Sequence, residues 1–88
     1  MRNYPNPFNS ATTIRYGLPT EERVNLNVYN IHGQEVATLV NYEMKEAGYH
    51  IAIWDGRNFT GDKVASGIYI YRLQAGDFNE YKKMILVK

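Results

Sequence analysis

The sequence has no cysteine, only three prolines and no long hydrophobic run. Without cysteine, the chain can form neither a disulfide nor a thiolate metal site. No apolar segment reaches the roughly 18–20 residues of a membrane-spanning helix, so we expect no membrane span. The N-terminus also lacks the apolar stretch of a signal peptide. If the protein is exported, we therefore expect this chain to be part of a longer one.

The sequence also lacks an excess of charge of either sign. Ten basic and nine acidic residues give a formal net charge of +1, and the basic residues are scattered. This balance provides no dense positive field, so we expect no nucleic-acid partner and no binding to anionic membranes. The 88 residues, of which 44% are apolar, are enough for one small domain with its own core.

Residues that could support catalysis are few and scattered. His32 is predicted in a turn and His50 in a strand, and neither belongs to an HxH or HExxH motif. Ser10 and Ser66 occur in loops, where serine is an ordinary turn residue. A catalytic site needs a base, a nucleophile or paired carboxylates held together. We therefore predict that the domain is not an enzyme, has no catalytic residue and binds no cofactor.

One loop has some resemblance to a calcium site. Asp55, Asn58 and Asp62 share a glycine-containing segment, and calcium takes several oxygen ligands from such loops. The spacing is not that of an EF-hand, however, and the closing glutamate is missing. Turn formation explains these residues better, so we predict no metal site.

The aromatic content also suits a carbohydrate-binding module. Eight tyrosines and one tryptophan are many for a domain of this size, and aromatic side chains have flat apolar faces that can stack on sugar rings. A small core needs aromatic residues too, so packing accounts for those that fall on strands. A sugar site would have to use exposed tyrosines, for which we expect Tyr29, Tyr42 and Tyr49.

Alternating apolar and polar residues predict a series of short β-strands. The predicted strands are Thr12–Leu18, Val24–Val28, Glu35–Val40, Tyr49–Trp54, Gly67–Gln74 and Phe78–Lys88. Turn signals separate them about every 8–12 residues, a spacing typical of an antiparallel two-sheet sandwich. The predicted fold class is therefore all-β.

Two segments do not follow the strand pattern. The segment Asn41–Gly48 has some helical character but is too short for a stable helix, so we predict a loop with at most one helical turn. Residues 1–10 are rich in proline and asparagine and predict an extended entry or linker segment, with Phe8 as its one contact to the body. The predicted sandwich domain then covers residues 11–88.

The final strand is both apolar and basic, and two interpretations of it remain open. Its lysines could simply protect a sheet edge from aggregation. Alternatively, the strand could be exposed for uptake by another protein, through strand addition or groove binding. Ile51 and Ile53, which point outward if Trp54 points inward, could extend such a surface.

Five motifs occur in order along nearly the whole chain. They are Asn3–Asn9 with Thr12–Tyr16, Val28–Val36, Trp54–Asn58, Ala65–Leu73 and Lys82–Lys88. Together they resemble the Por secretion (type IX) C-terminal sorting domain. One departure is Ser10, which stands where the family usually has proline.

The resemblance implies an immunoglobulin-like antiparallel β-sandwich of about seven short strands. In this family the domain lies at the C-terminus of an exported protein and directs an N-terminally attached cargo across the outer membrane. The implied partners are the type IX secretion machinery and a sortase-like peptidase that removes the domain. The implied location is secreted or cell-surface, reached through the periplasm.

The resemblance also assigns roles to residues. Partner recognition is assigned to Lys82, Lys83, Met84, Ile85, Leu86, Val87 and Lys88, together with Gly67, Tyr69 and Tyr71. Structural roles are assigned to Gly33, Trp54, Asp55 and Gly56.

A second resemblance gives an alternative function. The long loop Gly56–Gly67 resembles the immunoglobulin-like domain of flagellar hook-capping proteins, which implies a structural accessory module that sorts nothing. The Asn-Pro-Phe-Asn opening and the chain end directly after Lys88 favour sorting. A sorting signal should be portable, whereas a sugar-binding module should be retained by polysaccharide.

Overall fold

The computed structural model describes all 88 residues as an antiparallel β-sandwich, and the all-β prediction is confirmed. The strands are β1 (Arg2–Tyr4), β2 (Thr12–Leu18), β3 (Glu22–Tyr29), β4 (Glu35–Lys45), β5 (Gly48–Trp54), β6 (Gly67–Ala75) and β7 (Phe78–Leu86). One sheet has the order β1-β2-β5 and the other β4-β3-β6-β7. No helix long and apolar enough to cross a membrane is present.

The core lies between the two sheets and follows the alternation of the sequence. On β2, Ile14, Tyr16 and Leu18 point inward and are buried. On β3, Val24 and Val28 are completely buried together with the leucine between them. Successive side chains of a strand point to opposite faces, so one apolar set from each strand fills the space between the sheets.

Three aromatic rings form the centre of one end of the sandwich. Trp54, at the end of β5, makes edge-on contacts with Phe8 and Tyr69 at ring-centroid distances of 5.7 and 5.1 Å. Its indole Nε1 donates a hydrogen bond to the carbonyl of Arg57 at 3.0 Å. Trp54 therefore points inward, and the polar atom of its ring is satisfied despite its burial.

The predicted loop over Asn41–Gly48 is wrong, because β4 continues through Lys45 and pairs with the start of β3. The register between β3 and β4 shifts along the way, and Tyr42 adopts a positive φ of 52°. The Tyr42 amide donates to the side chain of Asn25 at 2.9 Å instead of continuing the regular ladder. Most of this extension is exposed, so the sequence carries no hydrophobic alternation that could reveal a strand.

The first ten residues belong to the sandwich in the structure, whereas the sequence predicted an entry segment before it. Strand β1 pairs with β2, with Tyr4 opposite Thr13. The Asn3 side chain donates to the Thr12 hydroxyl at 3.1 Å, and that hydroxyl donates to the carbonyl of Pro5 at 2.7 Å. The Phe8 ring, the predicted contact, is buried in the core.

A two-residue turn, Gly76-Asp77, joins β6 to β7 and fixes their register. Gly76 has a φ of +59°, whereas Asp77 does not have a positive φ, and this combination fits a type II′ hairpin turn. A β-carbon at Gly76 would also lie 2.8 Å from a carboxylate oxygen of Glu22. The positive φ therefore favours glycine at this position, whereas the space alone would only require the flexible Glu22 side chain to move.

Buried tyrosines should make the stability of the sandwich sensitive to alkaline pH. The Tyr71 hydroxyl donates to Asn3 Oδ1 at 3.1 Å, and burial, with the nearby charge of Glu80, raises the pKa of Tyr71 to about 12. In the unfolded chain this pKa is about 10. The folded state therefore holds the proton more tightly, and its contribution to stability is present below pH 10 and lost as the pH rises toward 12.

We expect the free energy of unfolding to fall by about 2 kcal/mol between pH 10 and 12 through Tyr71. Tyr16 and Tyr69, whose pKa values burial also raises, add to the fall. Urea unfolding at intervals across this range measures it. The matched variant Tyr71→Phe should lose about 1 kcal/mol at neutral pH with its hydrogen bond, and should show a shallower alkaline fall. Equal slopes for the two proteins would contradict the assignment.

Candidate recognition surface

The structure divides the residues that the sequence assigned to partner recognition into buried and exposed groups. Tyr69 and Tyr71 on β6 are buried, as are Met84 and Leu86 on β7. The remaining residues are exposed, namely Gly67, Lys82, Lys83, Ile85, Val87 and Lys88. The folded domain can therefore present only the second group to a partner.

Within this group, Lys83 and Ile85 point to the outer surface of the four-stranded sheet, because they alternate with the buried Met84 and Leu86. Ile85 on β7 is directly opposite Ile68 on β6, and Lys83 is opposite Ile70. Ile68 and Ile85 are 43% and 37% exposed, and Val87, just beyond the strand, is 49% exposed. We call Ile68, Lys83, Ile85 and Val87 the terminal face. It is a small apolar area bordered by a lysine, beside the chain end.

The N-terminal segment occupies the backbone edge of this same strand. The Phe8 amide donates to the Ile85 carbonyl at 2.9 Å, and the Val87 amide donates to the Phe8 carbonyl at 2.8 Å. The Asn6 side chain accepts from the Ile85 amide at 3.0 Å and donates to the Lys83 carbonyl at 3.4 Å. A partner strand therefore cannot pair with this half of β7 unless the N-terminal segment leaves.

Sequence reasoning missed the role of Asn6 and of Ile68. Asn6 stands between two prolines, which have no amide hydrogen to donate, so its side chain is the polar group in that segment able to bond in both directions. An asparagine between two prolines therefore indicates a side chain that takes the place of a backbone hydrogen-bonding partner. The sequence around Ile68 gives no indication of its exposure, because that depends on which alternating set of β6 side chains faces the core.

The residues with predicted structural roles lie at turns and in the core. Gly33 has a φ of +80° in the β3–β4 turn, and its amide donates to the carbonyl of Asn30 at 3.1 Å. Gly56 is buried after β5 with a φ of +73°. Asp55 accepts from the Arg57 amide at 3.2 Å and forms an ion pair with its side chain at 3.7 Å.

The loop weighed as a calcium site uses its side-chain oxygens for turn hydrogen bonds. Asn58 Oδ1 accepts from the amides of Thr60 and Asp62 at 3.1 and 3.0 Å. The Thr60 hydroxyl contacts Asn58 Oδ1 at 2.8 Å and Asp62 Oδ2 at 2.9 Å. No group of three or more histidine, cysteine or acidic residues comes together anywhere in the chain.

The remaining candidate residues do not converge. His50 stacks on Tyr16 at 5.4 Å, and its Nε2 is 2.7 Å from the carbonyl oxygen of Glu46. His32 lies in the turn between β3 and β4. The three tyrosines that a sugar site would need also lie apart, because Tyr49 is on the three-stranded sheet and Tyr29 and Tyr42 are on different strands of the other. They form no common platform.

Two cavities border the C-terminal end of β7. The larger, of about 470 Å³, is lined by polar loop residues including Asn9, Asp55 and Lys63, with Leu86 as its apolar member. The second, of about 410 Å³, lies between the N-terminal prolines and Val87. Residues from both chain ends line both cavities, and the loop after β5 completes the larger one.

The family model for the secretion system C-terminal sorting domain matches residues 2–88. The chain belongs to this family. The sorting domain accordingly acts as the C-terminal signal of type IX secretion, and a protein that carries it is exported across the outer membrane to the cell surface or the medium. The match starts within β1, in agreement with the incorporation of the first ten residues into the fold.

A solved structure has a similar fold. It is PorZ, described as an essential bacterial surface component of the type IX secretion system of the human oral-microbiomic Porphyromonas gingivalis. The superposition has a TM-score of 0.70 at 18% sequence identity and covers 99% of the sorting domain. The sorting domain spans only 11% of that chain, so the likeness concerns the fold alone. No curated protein matches the sequence significantly.

Proposed function

We propose that the type IX machinery recognises the folded sorting domain through the side chains of the terminal face. The observation that carries this proposal is the arrangement around β7. In its C-terminal half the inward side chains Met84 and Leu86 are in the core, and the outer backbone edge is hydrogen-bonded to Asn6 and Phe8. The outward side chains are the part of the strand that remains accessible, and an exposed apolar group of this kind is typical of a protein contact.

The charge around the terminal face supports a protein partner with acidic groups. Lys83 lies within the face, Lys88 follows Val87 at the chain end, and Lys82 is exposed on the opposite side of β7. None of the three is within ion-pair distance of an acidic residue. Basic groups at the border of an apolar contact steer association and select partners of opposite charge more than they add affinity.

We further propose that the cargo is joined at the N-terminal side, and that a sortase-like peptidase separates the two before β1. Residues from Arg2 onward pair with β2, and Phe8 is in the core. A cut inside this segment would remove part of the fold, whereas a cut before it would leave the domain whole. No catalytic function is proposed, because the domain brings no base, nucleophile and carboxylate together.

A transplant experiment tests recognition by the terminal face. Residues 1–88 are fused behind a periplasmic reporter in a bacterium with type IX secretion, and the reporter is assayed in the medium and on the surface. Deleting Lys82–Lys88 would remove Met84 and Leu86 from the core and unfold the domain. The better variant is therefore Ile68→Ser with Ile85→Ser, since both side chains are on the surface.

We expect the reporter with the native domain to leave the cell and the double variant to accumulate in the periplasm. The matched control is Met44→Ser with Phe59→Ser, which removes two apolar side chains that are 49% and 63% exposed, one on β4 at the opposite edge of the sheet and one in a loop. The control should be exported like the native fusion. Thermal unfolding verifies that each domain is folded. Export of the double variant at the native level would rule out the terminal face as the recognised surface.

A further inference from the structure

The sandwich has four sheet edges, and three of them are protected against pairing with another chain. Strand β1 has only three residues and is followed by Pro5 and Pro7. Strand β4 carries charged residues and has an irregular register. Strand β7 carries Lys82 and Lys83, and the N-terminal segment covers half of its edge. Short length, proline, charges, irregularity and coverage are the usual means of protecting an edge.

The edge of β5 has none of these protections. The strand has seven residues, Gly48–Trp54, and contains no lysine, arginine, aspartate, glutamate or proline. It pairs in regular register with β2 along its whole length, and its other side has no strand partner. A regular, uncharged edge strand of this length is a template for an additional strand.

The outer surface next to this edge is apolar. On β5, Tyr49, Ile51 and Ile53 are 76%, 65% and 61% exposed. The surface continues across the sheet, because Ile53 is opposite Thr13, which in turn is opposite the exposed Tyr4. We call Tyr4, Tyr49, Ile51 and Ile53 the β5 face. Several large apolar side chains exposed together usually mark an interaction site.

The three-stranded sheet is also positive, with no compensating acid. Strands β1, β2 and β5 contain Arg2 and Arg15 but no aspartate or glutamate, whereas all the acidic residues found in strands belong to the other sheet. Arg15 is exposed and forms no ion pair. Its guanidinium lies 4.6 Å from the ring centroid of Tyr49, whose ring packs against Gly17 of β2, so the cation lies beside the β5 face.

We propose that the edge of β5 binds an extended segment of another protein as an added strand, with apolar side chains beside Ile51 and Ile53 and a carboxylate near Arg15. Backbone hydrogen bonds would supply affinity, and the side chains on the β5 face would supply specificity. A second copy of this chain fits less well, because it would bring two arginine-bearing, acid-free sheets together. The β5 face and the terminal face lie on opposite sheets, so both can be occupied at once.

Synthetic peptides test the proposal directly. Two capped peptides are the probes. The first is Thr-Val-Thr-Glu-Thr-Val-Thr, which has its valines and its one acid on the same face of a strand. The second has lysine in place of glutamate. Each is titrated to millimolar concentration into the nitrogen-15-labelled 88-residue chain. We expect amide shifts concentrated in Gly48–Trp54, and about tenfold weaker binding of the lysine peptide.

Two variants and a control distinguish the contribution of the strand edge to binding from that of the arginine charge. Ile51→Lys should abolish the shifts by adding a protective lysine, while Phe59→Lys, at 63% exposure in a loop, should leave them unchanged. Arg15→Glu should reverse the preference, so that the lysine peptide binds about tenfold more tightly than the acidic one.

The proposal fails if neither peptide shifts the amides of Gly48–Trp54, or if both bind equally to the native chain. It also fails if light scattering shows a dimer of the native chain that Ile51→Lys converts to monomer, because the edge would then belong to a second copy. None of these readouts depends on secretion, so the result is independent of the function proposed for the terminal face.

Discussion

Replacing Trp54 by alanine is expected to remove a large part of the stability of the sorting domain. Removing a completely buried tryptophan or phenylalanine costs about 3–5 kcal/mol, and a domain of 88 residues has a total stability of roughly 4–13 kcal/mol. The loss is expected at the upper end of that cost, because the Trp54 ring contacts two further aromatic rings and its Nε1 satisfies the carbonyl of Arg57.

Urea unfolding should be monitored by circular dichroism, because the variant lacks the tryptophan whose fluorescence would otherwise report unfolding. Trp54→Phe is the matched control, because it keeps an aromatic ring in the site. It should lose roughly half as much stability, mainly because phenylalanine is smaller and leaves the Arg57 carbonyl without its hydrogen-bond donor. A Trp54→Ala variant within about 1 kcal/mol of the native domain would contradict the central position of this residue.

The second large effect is expected for Phe8→Ala. The Phe8 ring is 3% exposed, and we expect a loss of about 3–5 kcal/mol. Its backbone holds the end of β7 through the amide and carbonyl bonds to Ile85 and Val87. Loss of the ring removes the anchor for these bonds, so amide exchange at Ile85 and Val87 should accelerate more than global unfolding accounts for.

Phe8→Leu is the control, since it keeps an apolar side chain and should cost less than about 1.5 kcal/mol if the site can repack. If exchange at Ile85 and Val87 in Phe8→Ala rose only in proportion to global unfolding, the ring would not be the anchor of the terminal strand. Phe8 and Trp54 are in contact, so the double variant should lose less stability than the two single losses together.

The sequence predicted the strands that bury one face, because alternation reveals such strands directly. The alternate apolar residues of 14–18 and 24–28 are buried, and Tyr49–Trp54 has its isoleucines outward and its tryptophan inward. The extension of β4 could not be predicted, because most of its side chains are exposed and the positive φ at Tyr42 breaks the alternation. Strand β1 has three residues, and its pairing with β2 depends on residues about ten positions away.

The recognition surface was only partly accessible to sequence reasoning. The resemblance selected β7 and β6, but both parities of β6 are apolar or aromatic, so the sequence left open which residues face outward. The structure places Tyr69 and Tyr71 in the core and Ile68 outside. The contact between Asn6 and the end of β7 joins residues 77 and 79 positions apart. No local pattern reports a pairing over that distance.

The bridge between Phe8 and Leu86 is parallel, and this has a mechanical consequence. When the first and last segments are pulled in opposite directions, two parallel strands slide along each other, so their hydrogen bonds share the load and resist in shear. An antiparallel pair pulled from adjacent ends would instead open like a zipper, one bond at a time. The segment around Phe8 therefore acts as a clamp that transmits tension between the two ends of the sorting domain without first peeling the terminal strand from its sheet.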